Sequence, residues 1–111
     1  MIEVTIKNFL DGHLDVPSFF ERQDYMPKSY IMIEKTSGAM KNKLKSSTFA
    51  IQSYAPSLYE AATLNEEIKG IMDDLVNESE VSGIYLNADY NFTDVETKEY
   101  RYQAVFDIYH Y

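Results

Sequence analysis

Cysteine is absent from the 111-residue chain, so no disulfide framework and no thiolate chemistry is available to it. Long apolar runs are also missing: nothing approaches the ~18 residues that a membrane-spanning helix requires. The opening "MIEVTIKNFL" carries an acid at Glu3 and no small-residue cleavage site, unlike a secretory leader. Glycine is sparse and scattered, at Gly12, Gly38, Gly70 and Gly83, so no glycine-rich phosphate cradle is encoded. The two histidines, His13 and His110, lack a partner at metal-ligand spacing, and no serine sits in a nucleophile elbow.

Basic residues are the scarcer charge. Ten Lys and Arg stand against eighteen Asp and Glu, a net charge of −8, which argues against a general nucleic-acid binder because phosphate neutralisation dominates such binding. The charge is also uneven. Residues 22–45 hold six basic groups against two acids, leaving four basic groups against sixteen acids elsewhere. Such asymmetry suits contact between unlike surfaces, or a solvated basic loop.

What is present describes one folded domain, residues 1–111. Hydrophobic residues make up 45% of the chain, ordinary for a globular fold, and a chain this long buries roughly two-thirds of its extended surface. Ile2, Ile6, Phe9 and Leu10 share a helical face, although Ile2, Val4 and Ile6 also alternate. A helix over Ile2–Leu10 is expected, with Gly12 as its stop. Strands are expected over "VPSFFER" (16–22), "SYIMIEKT" (29–36) and "LKSSTFAIQSY" (44–54), with the turn in "SGAMKNK" (37–43). Ser57 and Glu60 form an S-x-x-E capping box, and Ala61, Leu64, Ile68, Ile71 and Leu75 repeat as one apolar stripe. These predict a helix from Leu58 to about Asn77.

Two strands follow. In "GIYLNADYNF" strict alternation places Ile84, Leu86, Ala88, Tyr90 and Phe92 on one face. "TDVETKE" is a polar hairpin loop, and "YRYQAVFDIYHY" puts Tyr102, Ala104, Phe106 and Ile108 on one side. The order α-β-β-β-α-β-β predicts an α+β domain, its two helices packed on a largely antiparallel or mixed β-sheet.

Candidate sites are few. "DYNFTDVETKEY" begins like a calcium loop, but Asp94 stands where glycine is needed and Tyr100 where a bidentate glutamate is needed. On the second helix Glu66, Glu67, Gly70, Asp73 and Asp74 gather opposite the apolar stripe. Crowded carboxylates can do acid–base or metal work, but on a helix they more often form a solvated face. Gly70 costs about 1 kcal/mol against alanine in a helix interior, which a closely packed neighbouring backbone would explain. Tyrosine is the strongest compositional signal. Ten are present, four of them (Tyr100, Tyr102, Tyr109, Tyr111) in the last twelve residues, which suits an interface or a core.

The stretches "SYIMIEKT", "STFAIQSYAPSLYEAATLNEEI" and "LNADYNFTDVETKEYRYQAVFDIYHY" resemble the tail terminator proteins of long-tailed phages and prophages of Gram-positive bacteria. These are also called tail completion, head–tail joining or minor capsid proteins. The resemblance spans residues 16–111 and is least good in the N-terminal helix. It implies a small subunit, not an enzyme and without cofactor, that forms a homo-oligomeric ring, usually a hexamer, either in solution or only on the tail tube. The ring would sit at the head-proximal end of the tail tube, ending tube polymerisation and offering a joining surface to the head. Its implied partners are the tail tube protein and a head completion or connector protein, with no membrane and no sequence-specific nucleic acid. Its implied location is the virion tail or neck, and the host cytoplasm during assembly.

A ring needs two unlike, complementary patches on each subunit. One expected pair is Lys41, Lys43 and Lys45 against a neighbour's Glu66, Glu67, Asp73 and Asp74, with Gly70, Tyr109 and Tyr111 as further interface candidates; contact of the same lysines with the tube protein, or with DNA in the lumen, stays open. Two other classes stay open: a small acidic monomeric binding or inhibitor module, and an enzyme using the carboxylates of the second helix.

Overall fold

In a computed structural model, which describes residues 1–111, two helices cover one face of a five-stranded mixed sheet, an α+β fold with the expected element order. The elements are α1 (Ile2–His13), β1 (Ser18–Phe19), β2 (Tyr30–Lys41), β3 (Leu44–Ala55), α2 (Leu58–Met72), a 3-10 turn (Asp73–Asn77), β4 (Val81–Asn91) and β5 (Tyr100–His110). The strands lie in the order β1-β2-β3-β5-β4. Only β1 runs parallel to its neighbour; every other pairing is antiparallel.

Helix α1 forms because Ile2, Ile6, Phe9 and Leu10 recur on one side, where all four are buried. It runs through Gly12 to His13, three residues further than expected. Gly12 does not stop it, since no glycine takes a positive φ. The chain instead leaves through Leu14 in an extended conformation, its N–H bonded to the Leu10 carbonyl at 2.9 Å. Lys7 and Asp11, one turn apart and 2.9 Å from each other, both reach the buried Ser18 of β1. That pins the helix to the sheet edge.

The first strand is much shorter than "VPSFFER". Pro17 lacks a donor but offers its carbonyl to Ile31 N–H at 2.9 Å, and only Ser18 and Phe19 pair with β2. The β2–β3 hairpin is longer than expected. Ser37–Lys41 continue β2, and the turn is confined to Asn42 and Lys43, both at positive φ (52° and 66°). Two successive left-handed residues give the twist that a two-residue hairpin needs.

At the start of α2, the Ser57 hydroxyl accepts the Glu60 N–H at 3.2 Å. The return half of the capping box differs from expectation: the Glu60 carboxylate receives the Ser57 hydroxyl rather than its backbone amide. The α-helix ends at Met72, and Asp73–Asn77 tighten into the 3-10 turn. Ala61, Leu64, Ile68 and Leu75 are buried as the stripe requires, joined by Met72 and by the polar Asn65. The core lies between these residues, α1, and the inward sides of Ile31, Ile33, Phe49, Ile51, Phe106 and Ile108.

Strand β4 departs from strict alternation. Leu86 lies opposite Phe106, but Ala88 lies opposite Val105, so Asn87 is looped out as a bulge. Ile84 and Leu86 therefore face the helices, while Ala88, Tyr90 and Phe92 point to the other side. Asp89 turns toward α2, where it accepts hydrogen bonds from Asn65 and Lys69, each at 3.3 Å.

Candidate interaction surfaces

No helix covers the second face of the sheet, yet Tyr30, Ala50, Gln52, Tyr54 and Gln103 on it are buried. They bury one another. The strand register sets Tyr30 beside Tyr54 and Gln52 beside Gln103, and the two tyrosine rings stack 4.5 Å apart at 9°. Arg22, from the loop after β1, lies 5.3 Å from the Tyr54 ring centre, and Arg101 lies 5.6 Å from it on β5. Guanidinium groups in such positions hold an aromatic face electrostatically.

The polar atoms of this layer form one chain of hydrogen bonds. The Tyr54 hydroxyl accepts from Arg101 Nη1 at 3.0 Å and donates to Gln52 Oε1 at 3.2 Å. Gln52 Nε2 donates to Gln103 Oε1 at 2.8 Å, and Gln103 in turn donates to the Tyr90 hydroxyl. Arg22 also pairs with Glu99 in the β4–β5 loop, closing two loops over the stack. The hydrogen bond from Arg22 to Glu99 holds the guanidinium's pKa above its ordinary value, and burial raises the Tyr30 phenol's. The arrangement makes a rigid, amphipathic surface. Beside it, Tyr90 and Phe92 meet edge to face at 5.9 Å, and further along the strands Tyr85 and Tyr109 do so at 5.7 Å; all four are exposed.

The structure brings some expected interface residues together and separates others. Lys41, Lys43 and Lys45 gather at the hairpin tip with exposed Met40 and Leu44, and none makes an ion pair. The acids do not form one patch. Glu66 is 2.8 Å from Lys69, whose pKa is raised by that hydrogen bond, and Lys69 also meets Asp89. Asp73 and Asp74 belong to the 3-10 turn and are exposed. No three His, Asp or Glu side chains are arranged to hold a metal ion. The close neighbour expected at Gly70 is not there: nothing lies within 4 Å of where its Cβ would be. Tyr109 belongs to the helix-free face, whereas Tyr111 lies beyond β5, its N–H bonded to the Glu80 carbonyl at 3.0 Å.

Of the histidines, His13 is exposed and bonds to the Phe9 carbonyl, and buried His110 sits 2.8 Å from the Ser47 hydroxyl. The calcium-like stretch is a β-hairpin loop, closed by an Asp94–Glu99 bridge.

A groove escaped the sequence reading altogether. It lies between the α1–β1 connection and the first half of α2, with a volume of about 320 Å³. Leu14, Val16, Ala55 and Leu64 give it an apolar lining, and Asp15, Glu60 and Glu67 give it carboxylates. None of its ten lining residues is basic. Glu67 is the one member of the expected acidic patch that reaches it. The buried layer had a signal in the sequence: Gln52 and Gln103 stand mid-strand among apolar residues, where a buried amide demands a partner.

No protein-family model matches the chain, and no curated protein matches it significantly.

Proposed function

We propose that this protein is a structural assembly subunit of the tail terminator kind. It closes into a ring of identical copies at the head-proximal end of a phage tail tube, ends the tube's growth and offers a joining surface to the head. The observation that carries this reading is the helix-free face of the sheet. There Arg22 and Arg101 flank the stacked Tyr30 and Tyr54, and Tyr90 and Phe92 present exposed rings beside them. Exposed aromatic and arginine side chains already held by their neighbours, here Arg22, Tyr90 and Phe92 around the buried tyrosine pair, are the kind that anchor protein interfaces, because less side-chain entropy remains to be lost on association. The elongated outline supports it too. The molecule extends 44 × 26 × 25 Å, with a basic hairpin tip at one end and a carboxylate-lined groove at the other. Unlike patches on one subunit are what a cyclic assembly requires.

The test is removal of the gene from the phage genome and electron microscopy of the lysate. Overlong tubes or headless tails are expected; normal virions would overturn the proposal. A second reading, a small acidic binding module acting as a monomer, draws on the net charge of −8. Native mass separates the two, since such a module has no need to associate with itself.

A further inference from the structure

We propose that the tip of the β2–β3 hairpin, residues 40–45, docks in the carboxylate-lined groove of a second copy of this chain. The inference rests on the ring reading only in its choice of occupant. Three observations bring the surfaces together. The first is placement: Leu44 and Ala55 begin and end β3, so tip and groove are roughly 35 Å apart along one strand. A single chain cannot join them, while copies placed head to tail can. Such a contact is heterologous and closes into a ring when the rotation between copies permits.

The second is charge. The tip presents Lys41, Lys43 and Lys45 with no acid among them, all without an intramolecular partner. The groove presents Asp15, Glu60 and Glu67 with no base. Opposed patches of this kind set register and speed encounter. The third is apolar content. Met40 is 68% exposed and Leu44 41% exposed at the tip, and the groove has Leu14, Val16 and Leu64 to receive them. The tip turns tightly through two positive-φ residues, Asn42 and Lys43, which carries Lys41 and Lys43 past the end of β5.

The chain's lack of cysteine makes disulfide trapping a clean test. The variants Leu44→Cys and Thr63→Cys, mixed under mild oxidation, should give a mixed disulfide dimer. Its yield should be at least ~10-fold above that of Leu44→Cys mixed with Tyr25→Cys, whose position is exposed and outside the groove. Adding Lys41→Glu with Lys45→Glu, or Glu60→Lys with Glu67→Lys, should lower the yield, and combining both reversals should restore it. Screening by salt should weaken it as well, the Debye length being ~10 Å at 0.1 M. Equal yields in the test and control pairs, with both thiols freely reactive to a small reagent, would overturn the docking mode. Native mass of the unmodified protein keeps the two proposals apart. An oligomer without the Leu44–Thr63 disulfide would sink this contact and leave the ring standing; the disulfide together with normal virions on gene removal would do the reverse.

Discussion

The ring of Tyr30 lies 4.5 Å from that of Tyr54 and within 9° of parallel, although the two residues are on different strands and no helix covers them. The pair is the centre of the layer that includes Arg22, Arg101, Gln52 and Gln103. Tyr54→Ala removes a buried ring, its stack on Tyr30 and the hydroxyl shared by Arg101 and Gln52, so a loss of about 3 kcal/mol is expected. Tyr54→Phe keeps the stack but takes the hydroxyl from Arg101 and Gln52, and should cost about 1 kcal/mol. Urea denaturation of the two variants checks the ratio. Equal losses would mean that the ring contributes nothing beyond its hydroxyl.

The Lys7–Asp11–Ser18 contact makes an acid-side pH dependence. Burial works against the Asp11 charge, but hydrogen bonds from Ser18 and Lys7 outweigh it and hold the carboxyl below the ordinary 3.8. Folding thus favours the ionised form. The contribution is complete above the unfolded value and disappears as pH falls through the lower folded one. Asp11→Asn, which keeps the acceptor for Ser18, should be less stable at pH 7 by at most ~1 kcal/mol, because the pair is part-exposed and screened. Denaturation curves of the two proteins should converge as the pH is lowered from about 4. A gap that persists would assign the effect to something other than this charge.

Gly70 sits inside α2 with open space where a side chain would go. Gly70→Ala should therefore stabilise the protein, by about 1 kcal/mol, through lost freedom of the unfolded chain. Thermal denaturation measures this directly. If the residue is instead a close-approach point for a neighbouring copy, the variant will gain stability as a monomer and lose native oligomer mass.

Lys43 occupies the second left-handed position of the hairpin turn at φ 66°, where glycine carries no steric penalty. Lys43→Gly should raise stability by about 1 kcal/mol while removing a tip charge. On the docking proposal it also lowers the Leu44–Thr63 disulfide yield. A variant that is both more stable and fully competent in trapping would show that the lysine's charge has no part in the contact.

Much of the architecture follows from local rules that hold regardless of neighbours. The Ala61–Leu64–Ile68–Leu75 spacing and the Ser57 cap specify α2, because side-chain period and orphan backbone donors are properties of the segment itself. The alternation of Phe49 and Ile51 specifies β3 in the same way. Features that depend on a partner strand were not legible. The two-residue β1 exists only where β2 meets it, and Ser37–Lys41 are strand because Leu44–Thr48 pair with them. The candidate surfaces divide similarly. The lysines of the tip are adjacent in sequence and could be picked out. Asp15, Glu60 and Glu67 converge only after α1 and α2 pack together, so their groove has no linear signature. Glu66 reads as a free acid until Lys69, which it shares with Asp89, is seen beside it.

The looped-out Asn87, with a second irregularity between Val81 and Gly83, defines how β4 sits on β5. Before it, Ile84 and Leu86 point inward; after it, Tyr90 points outward to Gln103 while Asp89 reaches Asn65 and Lys69. Sliding the strand by a single position would invert both halves at once, pushing Ile84 into water and Tyr90 against the helix. This edge strand is thereby disfavoured from slipping, even though nothing pairs with its far side.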